Sequence, residues 1–169
     1  GRVLKPYTNM QTGERFDDYY RKYYSNLAGD VFDGNGGRAG MKRSNLEGGI
    51  NVPLIIKWPN KIRKGRTSQR LTPNYDILAT IADITGYSEP FNTDGLSFYK
   101  ELLEEETPLE HDFVVYSSFK GPTLVTNEGW KLRTYLPQNA FELYYLPDDF
   151  REETDLSEAF PEKFAAQKN

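Results

Sequence analysis

The sequence has no cysteine and a single histidine among its 169 residues. The first absence excludes a disulfide scaffold, a thiolate metal site, a cysteine nucleophile and thiol redox chemistry. The second excludes a catalytic histidine pair and any multi-histidine metal centre, and a Ser-His-Asp triad has only His111 to use. Long apolar runs are missing too. The longest, Val52 to Ile56, holds five residues and one of them is Pro53, against the ~20 needed to span a bilayer. No membrane partner is expected. The opening Gly1-Arg2-Val3-Leu4-Lys5-Pro6 has neither the apolar core of a signal peptide nor an initiator Met. The expectation is a chain that was processed or cut from something longer.

Aromatics are plentiful: 12 Tyr, 10 Phe and 2 Trp supply bulk for a core, which sets the chain apart from disordered sequences of similar charge. The net charge of −4 conceals an asymmetry. Residues 1–85 carry 14 Lys/Arg against 8 Asp/Glu, and residues 86–169 carry 7 against 17. The basic half can attract anions, or the two halves can attract each other. The acidic second half argues against nucleic acid as a partner.

Along the chain, aromatics at 16, 19, 20, 23 and 24 follow helical spacing and predict a helix from about Gly13 to Leu27 with an aromatic packing face. Gly29, Gly34, Gly36, Gly37, Gly40, Gly48 and Gly49 then mark a loop able to approach a ligand closely. Val52 to Ile56 reads as a buried strand, apolar on both faces. A basic loop, Asn60 to Arg70, leads to a helix with Thr72 as N-cap and Pro73 in its first turn. Its apolar face is Ile77, Leu78, Ile81, Ala82 and Ile84, and Gly86 ends it. A short amphipathic helix is expected over Gly95 to Leu103, followed by a solvated acidic tip at Glu104 to Glu106. The last third is predicted as a small antiparallel sheet. It comprises a strand over Asp112 to Tyr116, a hairpin of Thr123 to Thr126 and Trp130 to Tyr135 turning at Gly129, and a strand over Phe141 to Leu146. A helix over Asp155 to Lys168 closes the chain.

The chemically informative segment runs from Gly36 to Pro53. It presents Lys42 from a glycine-rich loop just before an apolar run. An ammonium with three donors suits a tetrahedral anion held as a point charge. Glu47, five residues on and followed by Gly48 and Gly49, is placed to pair with a backbone or basic group. No Walker loop or dinucleotide glycine pattern is present. By itself this loop cannot separate sulfate from phosphate.

The spacing Lys42-x4-Glu47-Gly48-Gly49-Ile50-x-Val52-Pro53-Leu54-Ile55-x2-Trp58-Pro59 resembles the lysine block of type I sulfatases, in the alkaline-phosphatase superfamily. Ile62-x2-Gly65, Asp76-Ile77-x2-Thr80-Ile81-x2-Ile84-x-Gly86 and Asp94-Gly95-Leu96-Ser97 continue the register. Trp130-Lys131-Leu132, Glu142-Leu143-Tyr144-x-Leu146, Asp149 and Glu152-Glu153-x2-Asp155-Leu156 resemble its closing blocks. The resemblance covers about residues 32–158. It implies that Lys42 binds the sulfate group of the substrate, a sulfated small molecule or polysaccharide.

That family also uses a formylglycine nucleophile, made from Cys or Ser in a Cys/Ser-x-Pro-x-Arg motif, and holds calcium on Asp and Asn side chains. Ser88-Glu89-Pro90-Phe91-Asn92 has Asn where Arg is needed, and Asp17-Asp18, Asp33 and Asp148-Asp149 have the wrong setting for the calcium ligands. No catalytic residue, no metal ligand and no bound cofactor is therefore assigned to this chain, and His111 reads as structural or exposed. The resemblance implies the C-terminal part of an exported sulfatase. Its fold class is α/β, or α+β as an isolated piece: residues 1–100 form the end of the catalytic α/β domain, and residues 101–169 a subdomain with an antiparallel sheet packed with helices. Cut from its sheet, the Val52–Ile56 strand is expected to drive self-association. Two alternatives stay open. One is a non-catalytic module binding sulfated polysaccharide through Lys57, Lys61, Arg63, Lys64, Arg66 and Arg70 with Lys42 and Arg43. The other is a phosphate or phosphonate ester hydrolase relative.

Overall fold

A computed structural model describes residues 7–8, 15–16, 36–40, 42–90, 92–105 and 109–168. The chain divides into two compact units. One comprises Gly1–Val52, Tyr116–Leu124 and Trp130–Asn169, the other Pro53–Val115 and Val125–Gly129.

The antiparallel sheet expected of the last third is present. Strands β3 (Phe113–Ser118), β4 (Gly121–Thr126), β5 (Trp130–Tyr135) and β6 (Ala140–Tyr145) follow one another in the order β3-β4-β5-β6. Two further strands, β1 (Tyr7–Thr8) and β2 (Arg15–Phe16), pair antiparallel with Tyr7 opposite Phe16. That pairing corrects the start of the predicted Gly13–Leu27 helix, because cross-strand hydrogen bonds override a local helical period. Tyr19, Tyr20, Tyr23 and Tyr24 of its aromatic face lie outside the described residues.

Turn chemistry accounts for the sheet's connections. Gly129 closes the β4–β5 turn at φ 89°, and its N–H donates to Thr126 O at 3.0 Å. Between β5 and β6, a 3-10 turn (Leu136–Gln138) ends at Asn139 in the left-handed region, a conformation Asn tolerates. The β5–β6 register sets Leu132 opposite Leu143, and both are buried. The free edge of β6 is covered rather than open: Leu143 N–H donates to Asp155 Oδ1 at 3.0 Å, and Leu143 O accepts from Leu156 N–H at 2.7 Å. Asp155 and Leu156 serve that edge, and the closing helix α4 (Pro161–Lys168) begins six residues later than expected, with Pro161 in its first turn. Phe160 and Phe164 carry it onto Trp130 and Phe141, with ring centroids 5.2 and 6.4 Å apart.

In the second unit, α2 (Asp76–Thr85) ends at Gly86 in the left-handed conformation, as expected. Its start differs. Tyr75 is the N-cap residue and makes no side-chain cap, while the Thr72 hydroxyl donates back to Arg70 O at 3.3 Å. The buried positions are Asp76, Ala79 and Thr80, so α2 buries its polar side. Asp76 Oδ1 accepts from Leu96 N–H at 2.9 Å, and Thr80 Oγ1 accepts from Phe98 N–H at 3.1 Å. The predicted helix after Gly95 shortens to α3 (Tyr99–Leu102). The apolar stripe Ile77, Leu78, Ile81 and Ile84 faces solvent.

The largest correction concerns Val52 to Ile56. The segment is not a strand, and it is exposed, with Ile55 89% accessible. A strand apolar on both faces needs sheet neighbours and covering layers, and the described residues supply neither. The architecture is thus an antiparallel sheet with short helices, an α+β arrangement. The expected end of a larger α/β sheet is not seen among the described residues.

These burials give a direct stability contrast. Leu143→Ala removes a fully buried side chain and lowers unfolding free energy by about 2–5 kcal/mol. Ile55→Ala stays within about 0.5 kcal/mol in the same urea titration. Equal losses at the two sites would contradict the placement of the core.

Candidate functional site

Lys42 and Arg43 form an exposed turn inside the loop that leads to α1 (Glu47–Ile50), a single helical turn. The loop is closed at its base by Gly48 N–H donating to Ala39 O at 2.7 Å. It is also tight: a Cβ on Gly40, at φ 74°, would meet Leu46 Cβ at 2.8 Å. Arg43 adopts φ 80°, unusual for a residue with a Cβ.

Two sets of contacts fasten this loop to the sheet. Asn45 is fully buried. Its Nδ2 donates to Thr134 O at 2.7 Å and Gly121 O at 3.2 Å, and its Oδ1 accepts from Arg133 Nε at 2.9 Å. Arg133 also pairs with Glu142, which accepts a 2.9 Å hydrogen bond from the Tyr144 hydroxyl. Burial, helped by the Glu142 charge, holds that phenol well above its usual pKa.

The second set is ionic. Lys131, on β5, is 0% exposed, and its Nζ donates to Glu47 Oε1 at 3.0 Å. Glu152 Oε1 lies 2.7 Å from the same nitrogen, off the direction of a hydrogen bond. Glu152 Oε2 accepts from Glu47 N–H at 2.6 Å, and Glu47 Oε2 accepts from Asn51 Nδ2 at 2.9 Å. Of the backbone or basic partners expected for the Glu47 carboxylate, the structure supplies Lys131. Burial pushes the Glu152 carboxyl above its ordinary value, and the Lys131 ammonium opposes that shift. Sequence reasoning missed Lys131 and Glu152 as members of this site. The available signal was their recurrence within two separate blocks of the sulfatase resemblance.

Residues 39–163 match the family described as N-sulphoglucosamine sulphohydrolase, C-terminal. The chain belongs to this family of sulfatase C-terminal regions. It is 34% identical over 91 residues to human steryl-sulfatase, covering 52% of the chain and 16% of that protein. It is 31% identical over 116 residues to a Delta 4,5-hexuronate-2-O-sulfatase of Bacteroides thetaiotaomicron, covering 63% and 24%. A solved structure concerned with the metabolism of multiple glycosaminoglycans by Bacteroides thetaiotaomicron shares the fold, with a TM-score of 0.64 over 78% of the chain and 30% of its own length, at 22% identity. This sulfatase C-terminal chain thus spans 16 and 24% of the two curated relatives named.

Asp149 accepts from the backbone N–H groups of Glu153 and Thr154 at 2.9 Å, so it shapes the turn that delivers Glu152. Among the described residues no group of three or more His, Asp or Glu side chains is placed to hold a metal, so they do not fit the calcium implied by the resemblance. His111, read as structural or exposed, has its Nε2 2.7 Å from Oδ1 of buried Asp76. In the basic run of the second unit, Arg63 and Arg66 pair with Glu104, and Arg70 donates to Leu109 O, while Lys57, Lys61 and Lys64 are exposed. No described helix is long and apolar enough to cross a membrane.

The raised Glu152 carboxyl fixes a pH dependence. The folded chain binds that proton more tightly than the unfolded chain does, so the resulting stability is complete below the ordinary carboxylate value of about 4.3. It is lost as pH rises through the raised value. Glu152→Gln abolishes this titration, so across that window the variant gains stability relative to the parent chain. A constant gap between their urea-unfolding free energies from about pH 4 to pH 8 would contradict it.

Proposed function

We propose that this chain is the C-terminal part of an enzyme hydrolysing sulfate esters of carbohydrate or aryl compounds, with Lys42 gripping the sulfate group. The observation that carries the reading is the exposed Lys42 ammonium in a loop tied down by Asn45 and Glu47, within the stretch that matches the sulfatase family. An ammonium held beside the sulfuryl oxygens offsets their charge as the ester bond breaks, and a positioned charge contributes more than a mobile one. Lys131, neutralised by two carboxylates, is not available for this task. The nucleophile and the metal ligands belong to residues outside this chain, and the longer enzyme is exported.

Alone, the chain releases no sulfate from p-nitrophenyl sulfate. The longer enzyme does so, and Lys42→Ala lowers its kcat/KM by roughly 10²–10³-fold, as for loss of one charge-stabilising donor. Turnover by the chain alone that Lys42→Ala abolishes would sink the assignment. The competing reading, a free-standing polysaccharide-binding module, requires salt-sensitive retention on heparin. Absence of retention at low salt removes it.

The exposed apolar side chains of unit two, Leu54, Ile55, Ile56, Leu78 and Ile81, support self-association of the isolated chain. Light scattering is expected to give a mass above that of a monomer, and a clean monomer would contradict it.

A further inference from the structure

Lys42 stands five residues before Glu47, and Glu47 is where the sheet takes hold of the loop. Glu47 is fixed twice over: its carboxylate lies on Lys131 Nζ at 3.0 Å, and its backbone N–H lies on Glu152 Oε2 at 2.6 Å. Glu152 in turn faces Lys131 at 2.7 Å, so three chain segments meet at one ammonium from which water is excluded. The adjoining residue of α1, Gly48, donates to Ala39 O and closes the loop that contains Lys42.

We propose that Lys131 is a positioning residue for Lys42: by holding Glu47 and Glu152 it fixes the loop from Ala39 to Gly48, so that the Lys42 ammonium meets the substrate's sulfate group. The proposal deepens the assignment of Lys42 as the sulfate-binding residue and rests on it.

Three observations point the same way. Lys131 has no route to an anion itself, being 0% exposed and bracketed by two carboxylates. The loop is short and strained: Arg43, next to Lys42, keeps φ 80°, a conformation that persists only where the surroundings impose it. The restraints lie on both sides of the turn, at Ala39 before Lys42 and at Asn45 and Glu47 after it. A lysine has a long, flexible stem, so fixing its backbone is the means by which the fold can limit where the charge goes.

The test has two arms. In the chain itself, amide hydrogen exchange reads the loop directly. Gly48 N–H is expected to be protected to within roughly tenfold of the β5–β6 ladder amides, and to lose that protection in Glu152→Gln while the ladder keeps its own. Exchange of Gly48 at the free-peptide rate in the folded wild-type chain overturns the proposal, whether or not any variant folds. In the longer sulfatase, Lys42→Ala, Lys131→Met and the double variant form a cycle on kcat/KM for an aryl sulfate. Lys131→Met is expected to lose roughly 10²-fold, as for displacement of a positioned group by about 1 Å. It loses nothing further in the Lys42→Ala background, because it acts through Lys42. Losses that multiply overturn the positioning role and leave the assignment of Lys42 standing. No loss on Lys42→Ala overturns that assignment instead. Where Lys131→Met does not fold, Glu152→Gln replaces it in the cycle.

Discussion

A single ammonium without access to water organises the first unit of this chain. Lys131 Nζ is shared between Glu47 and Glu152, which come from the loop before the sheet and the turn after it. Desolvating such a charge costs several kcal/mol, and close carboxylates are what offset it. Once Lys131 sits on the inside of β5, both carboxylates are required there, and their backbones are fixed with them. This explains why Glu152 tolerates φ 55°, an uncommon value for a residue with a Cβ. It also explains why Asp149 uses its carboxylate on the backbone N–H groups of 153 and 154: the turn has to deliver Glu152 to the ammonium.

Among the described residues, polar pins of this kind stand beside small apolar clusters. The buried apolar side chains among the described residues are Leu132, Leu143 and Tyr144 in the first unit, and Pro73, Ala79, Phe98, Val114 and Val125 in the second. Against these small cores stand Asn45 bridging Gly121 and Thr134, and Asp76 holding Leu96 and His111. Apolar burial is non-directional and drives collapse, whereas hydrogen bonds and ion pairs between distant segments fix which segments meet. The sequence's best hydrophobic material, Val52 to Ile56 and the outer face of α2, is turned outward.

What could be read from the sequence divides along the same line. Features set by a few neighbouring residues were legible: the hairpin at Gly129, the strands around it, and the stop at Gly86. Features set by distant partners were not. Val52 to Ile56 has the composition of a buried strand, but burial depends on what lies beside it. Thr72 and Pro73 form a good local helix start, yet the tie between Asp76 and Leu96 anchors α2 further along. Lys131 sits in a strand between Trp130 and Leu132, where a charged residue ordinarily marks the solvent side. Nothing local shows that two glutamates, one of them 84 residues away, turn it inward. For the candidate site, the glycine-rich loop and the resemblance both pointed to Lys42, and the partner of Glu47 could be narrowed to a backbone or basic group but not located.

On the proposed assignment of Lys42, the two lysines put one side-chain chemistry to opposite ends. Lys131 is wholly buried with two carboxylates on it, so its field is cancelled within a few ångströms and it attracts no anion at the surface. Lys42 is exposed, where its charge is screened by water but its donors can be reached. A binding cation has to keep its charge accessible, and a structural cation has to surrender it. Separating these tasks between two residues, linked through Glu47, lets the loop be rigid without neutralising the group it presents. A single lysine could not do both, because the carboxylates that would hold it in place would also repel an incoming anion.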